Sequence, residues 1–533
     1  MRIPGQHTKV LISGAGPSGL MMAAQLLRYG IQPVIIDNKQ GPTTQSKALA
    51  VQARSMEIYR QMGVIDKVLT DGRPSNGVQF NMDGKQKATL SLKNLGDGQT
   101  PYPYVFVYQQ SKNEHLLLDF LTYNCCPVYW NTSLVSLSQS PDGVTANIKN
   151  DEGEYALKCD WVIGADGAHS VVRKQIQAAF KGDTYQQYFF LADAEINAGF
   201  LTDDHIQIYL GQTGFSGFFP MPEEKTYRVI GNVLPEFEQK EDLQMKDVLP
   251  SLEEKTHVSV NIEHINWFTG YKLHHRMAEK FREGRCFLIG DAAHIHSPAG
   301  GQGMNTGLQD AYNLAWKLAG VVNGQLQSQI LDSYAAERMP IARRLLNSTD
   351  RAFKIALSSK WLAMFFKRHI LFRILKAAWN NKKISALFFK TVSQIGISYR
   401  ESNINLHLSK STKIKAGDRV PYLKVYDEKK EIETDLHEWC AKPGFTLIVL
   451  GKFEEMYLFT LAKWITNKYP GILNFFYLPP SGKNVDVFDA FGADPHRQLA
   501  IIVRPDMHIG YMNDVVDMGM MDNYLQNVAG IIF

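Results

Sequence analysis

Residues 9–37 read KVLISGAGPSGLMMAAQLLRYGIQPVIID, and the architecture of the first part of the chain follows from them. The apolar run KVLIS predicts a buried strand, which is followed by the turn GAGPSG, an apolar helix and a second strand ending at Asp37. In such a turn the first glycine bends the chain, the second admits a pyrophosphate and the third lets the helix pack on the strand. Asp37 stands where a carboxylate accepts from ribose hydroxyls. The stretch therefore predicts a dinucleotide-binding βαβ unit rather than an incidental glycine-rich turn.

A second stretch, residues 284–318, reads GRCFLIGDAAHIHSPAGGQGMNTGLQDAYNLAWKL. It predicts a strand ending at Gly290 and Asp291, then a loop rich in proline and glycine, then a helix beginning near Met304. The glycines let the main chain approach a flat ring closely, and the helix N-terminus favours an electron-rich or anionic group. We therefore expect a carboxylate and a row of N–H groups to face one ligand that contains a polyol and a heterocycle.

Composition limits the class of protein. The 533 residues are 45% hydrophobic and 21% charged, which is typical of globular proteins, and the length predicts three or four domains. A formal net charge of +4 is small for this size and argues against nucleic acid as the main partner. The five cysteines have neither CxxC nor zinc spacing, and no signal peptide or membrane span is evident. We expect a soluble protein of the reducing cytoplasm.

Three further segments carry polar residues at the ends of predicted elements. The loop in SKALAVQARSMEIYRQMG (46–63) places Lys47 and Arg54 where both could point at phosphate. Gln110 precedes a predicted helix in QQSKNEHLL (109–117), although a plain amphipathic helix start would look the same. Asp166 follows a buried strand in CDWVIGADGAHSVVR (159–173), where it could face nucleotide hydroxyls or form a bare Asp-Gly turn.

Taken together, these segments resemble the group A FAD-dependent aromatic hydroxylases, the p-hydroxybenzoate and phenol hydroxylase superfamily. AGDRVP (416–421) and VRPDMHIG (503–510) extend the resemblance to its longer members, which have a thioredoxin-like C-terminal domain. The resemblance implies an α/β fold with three parts. They are a Rossmann-like FAD-binding domain (1–180 and 281–405, the second part including a helical segment), an inserted antiparallel-sheet substrate domain (181–280, joined by 78–105) and a thioredoxin-like domain (406–533).

The resemblance also implies which residues bind FAD. They are Gly14, Gly16 and Gly19 at the pyrophosphate with their neighbours Ala15 and Pro17, Asp37 at the adenosine ribose, the loop residues Lys47 and Ala48, Gln110 and Asp291 at the ribityl chain, Asp166 near the polar linkage, and Pro298, Gly303, Met304 and Asn305 at the isoalloxazine with Gly301 beside them. One position departs from the pattern, because many relatives have arginine where this chain has Lys47. Lysine keeps the charge but lacks the planar fork, so we expect it to hold the flavin linkage less rigidly.

Alternating apolar and polar residues between 180 and 281 predict an antiparallel sheet over which a substrate could lie. HIQIYLG (205–211), GFFPMP (217–222) and YRVIGNV (227–233) show the pattern. The candidate substrate-binding residues are Phe215, Phe218, Phe219, Met221 and Trp267, although any of them could simply pack in the sheet. Few charges fall in GFSGFFPMP (214–222), so we expect a largely apolar aromatic or polycyclic substrate.

The resemblance implies a monooxygenase that uses NAD(P)H and O2 to hydroxylate a phenolic, aromatic or polycyclic compound through a flavin hydroperoxide. No catalytic base is identified. Two alternatives stay open within enzymes, Baeyer–Villiger insertion and inactivation of an antibiotic on the same scaffold. A third alternative, from another class, is a flavin- or aromatic-ligand-binding protein with little turnover. The expected oligomeric state is a monomer or a homodimer.

Three other features of the sequence bear on function. His294 and His296 have no third ligand nearby, so we expect no metal. Cys440 is the only cysteine after Cys286, so the C-terminal domain lacks a dithiol, and we expect it to act as a scaffold or in dimerisation. Residues 351–400 contain 11 Lys and Arg and no Asp or Glu, interleaved with WLAMFF, ILFRIL and SALFF. This segment either packs as helices with a basic solvated face or forms a peripheral surface for anionic lipid or a lipophilic substrate.

Overall fold

The computed structural model describes residues 3, 5–212, 214–238, 240, 242–296, 301–428, 430–493 and 497–532. Its strands, in chain order, are β1 (His7–Ser13), β2 (Val34–Ile36), β3 (Ala50–Val51), β4 (Arg73–Ser75), β5 (Gly77–Met82), β6 (Lys85–Ser91), β7 (Val105–Val107), β8 (Val128–Tyr129), β9 (Ser133–Ser140), β10 (Gly143–Asn150), β11 (Gly153–Gly164), β12 (Phe180–Ile196), β13 (His205–Leu210), β14 (Phe215–Pro220), β15 (Thr226–Asn232), β16 (Ile262–Ala278), β17 (Arg282–Glu283), β18 (Cys286–Leu288), β19 (His294–Ile295), β20 (Leu406–His407), β21 (Lys424–Asp427), β22 (Ile432–Asp435), β23 (Phe445–Leu450), β24 (Leu473–Leu478), β25 (Leu499–Val503) and β26 (Ile509–Asn513).

The α-helices, also in chain order, are α1 (Pro17–Arg28), α2 (Ala53–Gln61), α3 (Ile65–Asp71), α4 (Gln110–Tyr123), α5 (Val171–Gln175), α6 (Met245–Thr256), α7 (Gly303–Val322), α8 (Asp332–Leu357), α9 (Trp361–Phe366), α10 (Phe372–Asn380), α11 (Lys382–Val392), α12 (Leu436–Trp439), α13 (Glu455–Lys468), α14 (Val485–Phe491) and α15 (Met518–Asn523). No helix in the described ranges is both long enough and apolar enough to cross a bilayer.

The first sheet has a parallel core in the order β18-β11-β1-β2-β8. Strand β1 lies inside it, and Val10, Leu11 and Ile12 are completely buried because strands of a parallel sheet are covered on both faces. The antiparallel strands β9 and β10 extend the sheet beside β11. The order β1, α1, β2 confirms the βαβ unit predicted from residues 9–37.

Helices α1 and α7 pack against each other so closely that only glycine fits at the contact. A Cβ on Gly307 would lie 2.2 Å from the Ser18 hydroxyl oxygen, and a Cβ on Gly290 would lie 2.4 Å from the same atom. Gly290 follows strand β18, Ser18 is in the first turn of α1, and Gly307 is near the start of α7. The two glycine-rich segments that the sequence singles out therefore lie side by side.

The second sheet has the order β19-β16-β12-β15-β14-β13-β5-β6 and is antiparallel except between β13 and β5. Its two longest strands, β12 and β16, have 17 residues each. One face packs on α6 through residues such as Val248 and Leu252. The other face, called the inner face below, packs on α8 and α10 through Phe353 and Phe372. Strands β5 and β6 reach this sheet from the first hundred residues.

The C-terminal residues form a third, mixed sheet in the order β20-β26-β25-β23-β24. A buried ionic cluster joins it to the helices of the first part of the chain. Arg504 donates to Glu337 at 2.6 and 3.0 Å and to Asp506 at 2.6 Å, and Lys317 donates to Glu337 at 2.7 Å. All four side chains are buried. The C-terminal sheet is therefore attached through paired charges and not through apolar contact alone.

Candidate functional site

The turn after β1 is shaped by two glycines that no larger residue could replace. Gly14 has a φ of +107°, and a Cβ on it would lie 2.3 Å from the Ala165 carbonyl oxygen. A Cβ on Gly19 would lie 1.9 Å from the Gly14 carbonyl oxygen. A Cβ on Gly16, by contrast, would meet no atom within 4 Å. Gly16 therefore faces open space in which a bulky group can approach the main chain.

Helix α1 directs its N-terminus toward that space. Gly16 is the N-cap residue, no side chain in the described part of the chain accepts a hydrogen bond from the first N–H groups, and the first turn contains no acid. Pro17 occupies the first turn, where its missing N–H costs no hydrogen bond. The free N–H groups and the helix dipole together favour an anion such as a pyrophosphate. These features fit the predicted FAD.

Asp37 stabilises the same turn from the end of β2. Its Oδ2 accepts a hydrogen bond from the Ala15 N–H at 2.6 Å, and its Oδ1 accepts one from the Lys39 N–H at 2.8 Å. The side chain is buried. A carboxylate has about four acceptor positions, so both oxygens can still accept from ribose hydroxyls. The predicted ribose contact and the predicted pyrophosphate turn are thus held together by a direct hydrogen bond.

Asp291 lies in a recess just after strand β18. Its side chain is accessible to water, yet protein surrounds it at longer range. This removal from bulk water raises the pKa of Asp291, while the nearby charges of His294 and Lys47 act in the opposite direction. The effect of Lys47 means that its charge lies near enough to act on Asp291. A carboxylate there can accept hydrogen bonds from a polyol.

Asp166 has one oxygen engaged and one oxygen free. Its Oδ2 accepts from the N–H groups of Val171 at 2.7 Å and Val172 at 3.2 Å, at the start of α5. Its Oδ1 is buried and has no partner among the described residues. Burial raises the pKa of Asp166, and hydrogen bonds from Ser170 and the helix partly offset it. A buried acceptor without a partner fits a ligand donor at this point.

Gln110 has a positioning role within the protein. Its Oε1 accepts from the Ala48 N–H at 3.2 Å, and its own N–H donates to the Ala48 carbonyl at 2.9 Å. Its side-chain amide also donates to Glu114 at 3.0 Å. Gln110 therefore anchors the loop that carries Lys47 to the start of α4. Its predicted contact with the ribityl chain stays a prediction.

The N-terminus of α7 lies at the second glycine-rich segment. Gln302 is its N-cap residue, no side chain of the described residues caps it, and its first turn has no acid. A Cβ on Gly301, whose φ is +62°, would lie 3.0 Å from the Ala50 Cβ, and one on Gly303 would lie 3.2 Å from the His296 ring. Met304 is half-buried. Pro298, predicted to line the isoalloxazine, lies outside the described residues.

Asn305 is buried and all four hydrogen-bonding positions of its amide are used. Its oxygen accepts from the Gln52 N–H and the Ser55 hydroxyl, each at 2.8 Å. Its nitrogen donates to the carbonyls of Ala50 and Gly301, each at 2.9 Å. The side chain therefore joins strand β3 to Gly301, just before helix α7. Only its main chain is left for the predicted flavin contact.

Beneath the recess lies a buried network that the sequence did not reveal. Asp310 accepts from His294 at 2.7 Å, from Arg338 at 2.7 Å and from the Gly290 N–H at 3.1 Å. Burial alone would raise the pKa of Asp310, but the Arg338 and His294 charges outweigh it and lower the pKa. The network holds the backbone beside Asp291. The single acid of helix α7, Asp310, was the available signal, since a buried charge requires a partner.

Arg54 does not face a phosphate, contrary to the expectation for the loop at 46–63. It is buried, pairs with Glu57 at 3.0 Å and donates to the Asp506 carbonyl at 2.8 Å. Its guanidinium also lies over the Tyr312 ring. The correction has a simple cause, because α2 turns this side chain toward the C-terminal sheet and away from the turn at Gly16.

Four residues form a continuous row across the inner face of the second sheet. Strand register pairs Trp267 with Asp193, Asp193 with Arg228, and Arg228 with Phe219. Arg228 donates to both oxygens of Asp193, at 2.5 and 2.7 Å. The remaining Nη1 of Arg228 and the Nε1 of Trp267 are buried and have no partner among the described residues. The sheet thus holds two buried donors between aromatic rings. Arg228, the single charge in strand β15, was the sequence signal.

The other substrate candidates divide between the two faces. Phe215 lies on the inner face, where its ring meets Phe353 at 5.4 Å. Met221 is buried just beyond β14. Phe218 was expected in the pocket but lies on the opposite face, where it packs edge-on against Tyr209 at 5.7 Å. Successive strand residues point to opposite sides, so Phe218 and Phe219 cannot share a face.

No group of three or more His, Cys, Asp or Glu side chains within the described ranges is arranged to hold a metal ion. His294 donates to Asp310 at 2.7 Å, and its ring is stacked on the His296 ring with centroids 6.4 Å apart. Residues 297–300 of the same loop lie outside the described ranges.

Comparison with known proteins gives consistent matches. A family model described as "FAD binding domain" matches residues 7–349. A 6-methylpretetramide 4-monooxygenase from Streptomyces rimosus is 36% identical over 344 residues, or 64% of this chain and 61% of that protein. This chain therefore aligns with less than two thirds of that relative. A pentachlorophenol 4-monooxygenase from Sphingobium chlorophenolicum is 32% identical over 424 residues, or 78% of this chain and 76% of that protein.

The fold as a whole is also similar to a solved structure. The OxyS anhydrotetracycline hydroxylase from Streptomyces rimosus superposes with a TM-score of 0.79 and 25% sequence identity. The match covers 98% of this chain and 99% of that one. The similarity therefore extends beyond residues 7–349 into the C-terminal sheet.

Proposed function

This chain belongs to the family of FAD-binding-domain monooxygenases, and on that premise we propose that it hydroxylates an oxygenated aromatic or polycyclic compound. The family match over residues 7–349, together with a relative aligned over 78% of the chain, confirms the family and the FAD cofactor predicted from sequence. The relatives are named for action on 6-methylpretetramide and on pentachlorophenol. Both names support an oxygen-transfer reaction on an aromatic compound.

The observation that carries the proposal is that α1 and α7 begin side by side with uncapped N-termini. The Gly16 turn and α1 would hold the pyrophosphate, and Asp37 would bind the ribose. Asp291 would accept from the ribityl hydroxyls. The first N–H groups of α7 would stabilise the electron-rich edge of the isoalloxazine, because a helix N-terminus favours negative charge.

When bound, FAD supplies the redox chemistry, since it accepts a hydride from NAD(P)H and activates O2. The overall reaction balances as Ar–H + O2 + NAD(P)H + H⁺ → Ar–OH + NAD(P)⁺ + H2O. The protein chain orients the substrate and excludes water from the reacting carbon. The apolar residues of the inner face, such as Phe215 and Phe219, keep the reacting carbon in a dry environment.

The row Trp267–Asp193–Arg228–Phe219 would select the substrate. Arg228 Nη1 and Trp267 Nε1 are buried donors that lack acceptors among the described residues, so a substrate oxygen would satisfy them. Asp193 holds the guanidinium in place and balances its charge. A phenolic or ketone oxygen between aromatic rings has the required acceptor and the required flat apolar body. This chemistry favours an oxygenated ring system over a hydrocarbon.

We also propose the division of labour among the parts of the chain. Residues 1–180 and 281–405 would bind FAD, and 181–280 with 78–105 would bind the substrate. Strand β12 begins at Phe180 and β16 ends at Ala278, which supports these limits. Residues 406–533 would be a thioredoxin-like scaffold without thiol chemistry. Burial raises the pKa of Cys440 to about 12, which supports an inert role.

The decisive experiment measures NAD(P)H oxidation by the FAD-loaded protein with and without phenols, naphthoquinones and polyketides. We expect a subset of ligands to stimulate oxidation and to gain one atom from isotopically labelled O2, detected by mass spectrometry. Product structure by NMR separates hydroxylation from Baeyer–Villiger insertion, which would place the oxygen within a ring or ester. Ligands that bind without stimulating NAD(P)H oxidation would contradict the proposal and identify a binding protein instead.

A further inference from the structure

The outer side of residues 355–388, which run from the end of α8 through α9 and α10 into α11, exposes an unusual number of apolar side chains. Nine of the 22 exposed large hydrophobic residues in the described part of the chain lie between 355 and 388. Trp361 is 76% exposed, Leu362 70% and Leu387 64%. The nine are Ile355, Trp361, Leu362, Phe365, Ile370, Ile374, Ile384, Leu387 and Phe388. Such a concentration marks an interaction surface rather than scattered exposure.

These outward residues are not needed to pack the helices on the protein. Phe372 of α10 is buried and meets Phe80 of the second sheet with ring centroids 6.3 Å apart. Phe389 of α11 is buried against the loop at Gly96. On α11, Ile384 and Leu387 lie on a different face from Phe389. Packing on the protein uses only the side of these helices that carries Phe372 and Phe389. The exposed apolar side therefore requires another partner.

The same surface is strongly basic. Residues 351–400 contain 11 Lys and Arg and no acid. Some of these cations have a carboxylate partner, since Lys354 pairs with Asp350 and Arg368 pairs with Asp83. Seven exposed cations have no carboxylate partner among the described residues, namely Arg351, Lys360, Arg373, Lys376, Lys382, Lys383 and Lys390. Unpaired cations beside exposed apolar side chains call for a partner that is both anionic and apolar.

A recess of about 190 Å³ lies within this surface. It is lined by Lys87, Arg368, His369, Phe372, Arg373 and Lys376. The exposed side chains of Ile370 and Ile374 belong to the same helical stretch. We propose that helices α9–α11 dock the protein on the surface of a membrane that contains anionic lipid. The cations meet the phosphate groups, and the apolar residues enter the outer part of the acyl layer.

Two other occupants fit less well. A second copy of the chain would bring the same unpaired cations face to face, and like charges repel. A nucleic acid would use the cations, but it offers nothing to exposed aliphatic residues such as Leu362 and Leu387. The absence of a membrane-spanning helix in the described ranges agrees with attachment at the surface.

The test is co-sedimentation of the FAD-loaded protein with vesicles of phosphatidylcholine alone or mixed with phosphatidylglycerol. We expect binding only to the mixed vesicles and weaker binding at high salt. Lys382→Gln with Lys383→Gln should weaken binding about 25-fold, because each cation contributes roughly fivefold. Leu387→Gln should weaken it roughly tenfold. FAD content and the far-UV circular dichroism spectrum should stay unchanged, since all three residues are exposed.

Matched variants control for loss of any exposed residue. Phe459→Gln on α13 removes a side chain that is 65% exposed, and Lys149→Gln with Lys158→Gln removes two exposed cations from the first sheet. Both controls should bind vesicles as the unmodified protein does. No binding to the mixed vesicles would overturn the proposal. So would controls that weaken binding as much as the helix variants, or tighter binding to single-stranded DNA than to the mixed vesicles.

Discussion

At the scale of single residues, Asp291 should control the affinity for FAD. Asp291→Ala removes a charge-assisted hydrogen bond of about 1.5–3 kcal/mol, so we expect FAD affinity to fall roughly 10- to 150-fold. Fluorescence titration of the apoprotein with FAD measures the change. Asp291→Asn, which keeps a carbonyl acceptor, should lose less, and Glu263→Ala on the exposed part of β16 should lose nothing. Unchanged FAD affinity in Asp291→Ala would remove this carboxylate from the site.

Trp267 tests the proposed contact with substrate oxygen. Trp267→Phe keeps an aromatic ring but removes the buried Nε1–H, so an oxygenated substrate should lose about 1 kcal/mol, or roughly fivefold in KM. We also expect more NAD(P)H to end as hydrogen peroxide, because a substrate held less well admits water. Trp316→Phe is the matched control, since its Nε1 is also buried without a described partner but lies against Phe445. Equal effects in the two variants would contradict a substrate contact.

The sequence predicted the role of a residue well where neighbouring residues in the chain require that residue type. Gly14 and Gly19 are required by atoms in contact with the turn, and the GAGPSG pattern predicts them directly. Phe218 was placed wrongly in the pocket because strand alternation says that Phe218 and Phe219 differ in face but not which face is inward. That choice depends on α8 and α10, whose packing on the sheet involves residues more than a hundred positions away.

At the scale of elements, the loop before β3 should tune how firmly the cofactor is held. Gln110 and Ala48 fix its backbone through two hydrogen bonds, while Lys47 itself is exposed and acts on Asp291. Lys47→Arg should tighten FAD binding or change the rate of flavin reduction, because a guanidinium can bind a phosphate through two donors. Lys47→Ala should weaken FAD binding and slow reduction.

Stopped-flow reduction by NAD(P)H and FAD titration give both readouts for these variants. Lys149→Ala on β10 is a suitable control, since it removes an exposed cation from a strand outside the candidate site. If neither Lys47 variant changes FAD binding or reduction, the loop does not contact the cofactor.

The sequence predicted elements well where strand, turn and helix follow one another. The order β1, α1, β2 and the start of α7 are set by local apolar runs and glycines. It predicted less about what joins the elements. The amide of Asn305 connects β3 with the glycine loop across 253 residues, and no local pattern distinguishes such a buried amide from a ligand contact.

At the scale of the whole molecule, one buried cluster should make the free energy of unfolding depend on pH in the acidic range. Its members are Glu337, Arg504, Asp506 and Lys317. Burial alone would raise the pKa of Glu337, but Arg504 and Lys317 outweigh it and hold the pKa at about 2. Its ordinary value is 4.5, so the stabilisation is complete above that pH and is lost as the pH falls toward 2. We expect a loss of roughly 3 kcal/mol from this group in the free energy of unfolding.

Urea denaturation across this pH range measures the effect. Glu337→Gln keeps the shape of the side chain, but the variant should be less stable at neutral pH. Its free energy of unfolding should also change less as the pH falls, because the amide does not titrate. Glu263→Gln, on an exposed part of β16, should behave as the unmodified protein. A parallel pH dependence in the protein and in Glu337→Gln would contradict the assignment.

A long-range hydrogen bond explains why the sequence alone misplaces Arg54. Arg54 was expected near phosphate, yet it donates to the carbonyl of Asp506, 452 residues away. A buried arginine and a phosphate-binding arginine look alike in sequence, since both need an anion or carbonyl partner. Only the position of the C-terminal sheet separates the two.

The charges of the buried ionic cluster come from two separate parts of the chain, which limits the chimaeras that can be made with relatives. Glu337 and Lys317 come from the helices that follow the second glycine-rich segment, whereas Arg504 and Asp506 come from the last sheet. A chimaera that takes its C-terminal part from a relative inherits only half of the charges. Unless the donor carries matching residues at these positions, the junction buries unpaired charge, and the hybrid fails at assembly whatever its active site contains.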